Sequence, residues 1–152
     1  MKLSARVEYG VRAMAVLAFH FKQGPLPLRE IARREGISFQ FLEQIFPDLR
    51  RAGLVNSVRG AKGGYLLARL PSAIRIGDIV RAVEGPIIPM DCLDESTASR
   101  CHRDDCCMTR QVWERLRDRI NDVLDGVSLA DLIDTNSLIN TAGEVYSYWE
   151  NS

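Results

Sequence analysis

The sequence carries little of what marks an enzyme, a membrane protein or a secreted domain. It holds two histidines in 152 residues, no Ser/His/Asp set and no phosphate loop of the order Gly-x-x-x-x-Gly-Lys-Ser/Thr, so acid–base and nucleotide chemistry have little to work with. Neither catalysis nor a small-molecule substrate is expected. Apolar runs such as Ala13 to Phe19 fall far short of the ~20 residues that cross a bilayer, and no basic start leads into an apolar stretch with a small-residue cleavage site. No membrane partner is expected. Four cysteines in a chain without such a signal point to a reducing compartment, the cytoplasm, where clustered thiols bind metal or react more often than they pair. There is also no internal repeat and no low-complexity tract.

Net charge is absent too, since 20 Lys+Arg balance 20 Asp+Glu, yet the balance hides a division. Residues 1–83 hold 14 basic and 6 acidic side chains, a surplus of eight positive charges, and residues 84–152 hold 6 and 14, the reverse. A basic first half joined to an acidic second half suggests that the first faces a polyanion.

The first half reads as helices followed by a hairpin. Ser4 is a plausible N-cap for a long, largely buried helix from Ala5 to Phe21, stopped by Gly24-Pro25. Pro27 can open a second helix with Leu28, Ile31 and Ala32 on one face, and Gly36 supplies the left-handed residue that ends it. Ser38 caps a third, whose apolar side is Phe41, Leu42, Ile45, Phe46 and Leu49 and which Gly53 closes; Pro47 predicts a kink or a split there. Two short helices joined by Glu35-Gly36-Ile37-Ser38 have helix-turn-helix spacing. The apolar anchors leave Ser38, Phe39, Gln40, Glu43 and Gln44 at the exposed start of the second helix, where a recognition helix meets base edges. Next, Leu54 to Val58 and Tyr65 to Leu67 read as two strands around Arg59-Gly60-Ala61-Lys62-Gly63-Gly64, a basic wing. Arg59 and Lys62 suit phosphate or minor-groove contact, and Arg50 and Arg51 the flanking backbone.

The residues Met1-Lys2-Leu3-Ser4, Tyr9-Gly10, Ala13-Met14, Leu42-Glu43-Gln44, Gly53-Leu54-Val55, Ser57-Val58-Arg59-Gly60, Gly63 to Ala68, and Thr109-Arg110 with Trp113 together resemble the IscR/NsrR/CymR family of bacterial winged-helix regulators. The likeness runs over nearly the whole chain. It implies a homodimer on double-stranded palindromic promoter DNA and, in many members, a 2Fe–2S cluster held by three cysteines in a loop before a long dimerisation helix. Between Thr109 and Val127, Trp113, Leu116, Ile120, Val123 and Val127 step by 3, 4, 3 and 4, the heptad spacing of a helix that lies along another helix. The expected architecture is thus mainly α with a small β-wing: a winged helix-turn-helix domain at 1–83, a cysteine loop at 84–108, and at 109–152 the dimerisation helix and a C-terminal region packing on the first domain.

Cys92, Cys101 and Cys107, with an extra Cys106, lie among Asp91, Asp94, Glu95, Asp104 and Asp105. A polar setting suits ligands or reactive thiols better than buried structural cysteines. Three soft thiolates leave a fourth position of the cluster open. Where some family members place a histidine, this chain has Arg110, which cannot ligate. In other members an acid near the N-terminus reaches across from the partner, and Glu8 stands there, with Cys106 and His102 as competitors. Glu43, an acid approaching DNA, would repel phosphate unless it accepts from cytosine N4 or is held by a neighbouring Arg, and is a candidate specificity residue. Rival readings are a cluster-free thiol or Zn switch of the cysteine-metabolism type, and a small iron–sulfur carrier or scaffold.

Overall fold

A computed structural model describes residues 2–96 and 107–134. Helix α1 spans Ala5–Phe19, with Ser4 Oγ accepting from the Val7 amide at 3.4 Å and also bonded to the Glu84 carboxylate. Seven of its buried residues (Val7, Ala13, Met14, Ala15, Val16, Leu17 and Ala18) are apolar, which makes it the central rod of the core. Helix α2 spans Leu28–Glu35 and ends at Gly36, whose φ of 63° only glycine adopts at little cost. Helix α3, Phe39–Arg51, presents Leu42, Ile45, Phe46 and Leu49 to the interior, all four fully buried.

Pro47 does not split α3, which runs unbroken through it. Proline removes the amide that would bond the carbonyl four residues back. Here that carbonyl belongs to the exposed Glu43, so water can take the place of the missing donor.

The antiparallel hairpin pairs β1 (Val55–Val58) with β2 (Gly64–Leu67), Val55 opposite Leu67 and Val58 opposite Gly64. Leu26, in the α1–α2 link, exchanges two 2.9 Å backbone bonds with Tyr65, and the Tyr65 ring lies 4.7 Å from that of Phe46. The hairpin is therefore stitched to the helices on two sides. Gly64 is required at the stitch, because a Cβ there would collide with the Leu26 carbonyl.

Helix α4, Ile76–Glu84, packs on α1 and α3, and a short 3₁₀ turn at Asp91–Leu93 anchors the next stretch through the buried Leu93. Helix α5, Arg110–Asp125, has no buried residue, and α6, Leu129–Ile133, follows the Ser128 cap. The heptad pattern read through Val127 stops short of it. The helix ends at Gly126, and Val127 instead accepts a 2.9 Å bond from the Ile76 amide while Leu129 donates to Ile74. Leu129 is fully buried in the same core as α1, α3 and α4. The C-terminal end of α5 is fixed by these bonds and by Arg81, which donates to Asp125 at 2.6 Å and to Asn121 at 3.2 Å. The Asp125 bond holds the Arg81 pKa above its ordinary value.

Candidate nucleic-acid interface and cysteine segment

Ser38 starts the recognition helix in the way its residue type dictates: its hydroxyl accepts from the Phe41 amide at 3.4 Å and donates to Gln40 Oε1 at 3.1 Å. Gln40, Glu43 and Gln44 are exposed along the first turns of α3. Phe39 departs from expectation. It is half-buried, its ring covered by the Arg29 guanidinium with Cζ 4.2 Å from the ring centre. Arg29 itself stands outside the residues singled out from the sequence, because no local spacing rule joins the first turn of α2 to a ring ten positions on.

Between α2, α3 and the wing lies a groove of about 500 Å³ lined by Arg29, Phe39, Glu43, Ser57, Val58 and Gly64 among others. Arg59 and Lys62 are exposed at the hairpin tip and Arg50 at the end of α3. Arg51 is exposed but pairs with Asp48 at 3.1 Å; Asp48 also takes a 2.6 Å bond from Arg6, which donates in turn to the Val83 carbonyl. On α2, Glu30 binds both Arg33 and Arg34, whose hydrogen bonds hold its carboxyl down at about 2. Arg29 has no carboxylate partner among the described residues.

The cysteine segment is described in part. Cys92 sits half-buried in the 3₁₀ turn, and Cys107, half-buried just before α5, has its Sγ 3.2 Å from Thr109 Oγ1. Cys101, His102 and Cys106 lie outside the described residues, and among those described no three candidate ligands come together. Both described thiols stand on short polar segments outside the apolar core, a setting that fits soft-metal ligation. Glu8, 65% exposed and 3.6 Å from Arg12, edges an apolar groove of about 400 Å³ with Val7, Ile76, Val80 and Leu124. Leu124 is near the C-terminal end of α5, whereas Cys107 precedes its N-terminal end. A 16-residue helix is about 24 Å long, so Glu8 and Cys107 of one chain stand at opposite ends of it.

A family model described as Rrf2, an iron-dependent transcriptional regulator, matches residues 3–135. Among curated relatives, the HTH-type transcriptional regulator IscR of Pectobacterium atrosepticum is 39% identical over 142 residues, covering 93% of this chain and 85% of the relative. Among solved structures, T. potens IscR is 41% identical with a TM-score of 0.72, covering 97% of this chain and 95% of that one. CymR, the global cysteine regulator of B. subtilis, has the same identity and TM-score and covers 87% and 95%. These neighbours are winged-helix regulators, in keeping with the mostly helical chain and its two-stranded hairpin.

Proposed function

This chain belongs to the Rrf2 family of DNA-binding transcriptional regulators, and from that premise we propose that it is a cytoplasmic homodimer that binds palindromic promoter DNA and responds to iron–sulfur, redox or nitric-oxide status through a 2Fe–2S cluster. The observation that carries the DNA reading is the joint exposure of the capped start of α3 and of Arg59 and Lys62 on a wing stitched to the same helices. Rigid attachment matters because base recognition needs the helix and the wing placed together. Ser38, Gln40 and Glu43 reach base edges, Glu43 by accepting from cytosine N4. Arg50, Arg51, Arg59 and Lys62 meet the phosphates that fix register.

The dimer reading rests on α5, where Val112 is 56% exposed and Val123 67%, with Leu116 between them. Apolar side chains in such a row are covered when a second copy lies along them. An antiparallel pairing brings Glu8 of one copy to the end of the other copy's helix where its cysteine loop ends. Cys92, Cys101 and Cys107 would hold the cluster and Glu8 would supply the fourth donor. When bound, the cluster supplies one-electron redox chemistry and lability at a carboxylate-ligated iron. The Arg6 bonds to Val83 and Asp48 tie the end of α4, where the loop begins, to the recognition helix.

Protein purified without oxygen is expected to contain about two Fe and two acid-labile sulfides per chain, with visible absorption that shifts in Glu8→Ala, and to bind a selected palindrome more tightly than random duplex. The likeness to CymR supports a second reading, a cluster-free thiol switch. Colourless protein that takes up no iron on reconstitution while still binding the palindrome selects that reading. Failure to prefer any duplex overturns both.

A further inference from the structure

Resting on the DNA-binding reading, we propose that Arg29 is a further DNA-contact residue, a guanidinium set in advance against Phe39 to grip the phosphate strand that passes between the recognition helix and the wing, offsetting Glu43 there.

Three observations meet at this point. The Arg29 guanidinium lies 4.2 Å over the Phe39 ring, so a side chain that would otherwise lose rotamer freedom on binding is already ordered. The groove it lines has α2 and α3 on one side and Ser57, Val58, Gly63 and Gly64 of the hairpin on the other, the path a strand must take between a helix in the major groove and a wing beside it. Glu43 lines the same groove, and a lone carboxylate there repels phosphate. Neighbouring cations do not answer that charge, because Arg33 and Arg34 are bound to Glu30, whereas Arg29 has no carboxylate partner among the described residues. The planar fork of a guanidinium matches two phosphate oxygens.

The test uses full-length protein, a duplex it selects from a random-sequence library, and a shuffled duplex of the same composition, with Kd measured across a salt series. Arg29→Ala is expected to weaken both duplexes by a similar factor, about tenfold, and to lower the slope of log Kd against log salt by about one. Arg29→Lys, which keeps the charge and loses the plate, falls between. Phe39→Leu keeps the salt slope and weakens binding, and Glu43→Gln added to Arg29→Ala restores part of the loss. Unchanged affinity and slope in Arg29→Ala overturn the inference, and so does a loss confined to one base pair of the selected site, which reassigns Arg29 to base reading. If Arg59→Ala weakens binding while Arg29→Ala does not, this inference fails alone. If the wild-type chain shows no salt-dependent duplex binding, the DNA reading fails with it.

Discussion

Arg12 and Glu35 form the most enclosed charged contact among the described residues: the Glu35 side chain is 1% exposed, and Arg12 Nε reaches its Oε2 at 2.9 Å while also bonding the Glu35 carbonyl. Removing one member of a buried pair leaves an uncompensated charge, which costs several times more than the pair contributes. Arg12→Ala is therefore expected to lower unfolding stability by about 3 kcal/mol, read by urea denaturation, and Glu35→Gln in that background should recover much of it. Glu30 gives a smaller effect with a defined pH window. Its folded carboxyl titrates at about 2 instead of 4.5 because Arg33 and Arg34 donate to it. A lowered pKa means the unfolded chain takes up the proton first, so this contribution is complete above about pH 4.5 and is lost as pH falls to about 2. Glu30→Gln should flatten the acid limb of the stability curve across that window. At this scale the sequence was legible wherever a local rule acts. Ser38 as a cap and Gln40 and Glu43 as exposed helix residues follow from spacing along one helix. Arg12–Glu35, Arg6–Asp48 and Arg29–Phe39 join residues 23, 42 and 10 positions apart, and nothing in the chain's local pattern announces such partners.

At the scale of elements, α1 to α3, the hairpin and most of α5 were legible because caps, glycine stops and hydrophobic period agree with one another. The sequence reading did not single out α4 or α6, and it ran α1 two residues past its end at Phe19; two further details escaped that logic. The Pro47 warning did not split α3 because the lost hydrogen bond faces solvent, a fact of tertiary placement. The heptad reading ran one step too far, since Val127 has the right spacing for α5 yet is drawn into backbone pairing with Ile76. What remains of the stripe has a consequence for assembly. Leu116→Glu with Val123→Glu places charge on the face proposed to meet a second copy, and sedimentation should show the double variant as a monomer with its helix content kept. A dimer that survives both substitutions places the interface elsewhere.

For the whole molecule, the opposite charges of the two halves acquire a spatial meaning. The basic residues 59 and 62 crown the wing and Arg50 and Arg51 end the recognition helix, while the acidic surplus lies beyond α4. The positive charge thus gathers on the face that carries the recognition helix and the wing, the face suited to a polyanion. The contribution of the cysteines is the least legible part, because the proposed ligation would need three thiols and a carboxylate far apart in sequence to meet, which no local pattern encodes.

The pinning of α5 at one end carries a mechanical meaning. Its C-terminal turn is held by Arg81, Val127 and the buried Leu129, while its other end carries Cys107. A rod about 24 Å long, clamped at its base and also touching the 3₁₀ turn that holds Cys92, has the form of a lever: a tilt of about 5° at the clamp would sweep the tip by ~2 Å. Run in reverse, a push of that size at the cysteine end reaches the clamp as a small torque. Under the proposed reading that torque would fall on α4, whose Val83 carbonyl accepts from Arg6, the residue that also pairs with Asp48 on the recognition helix.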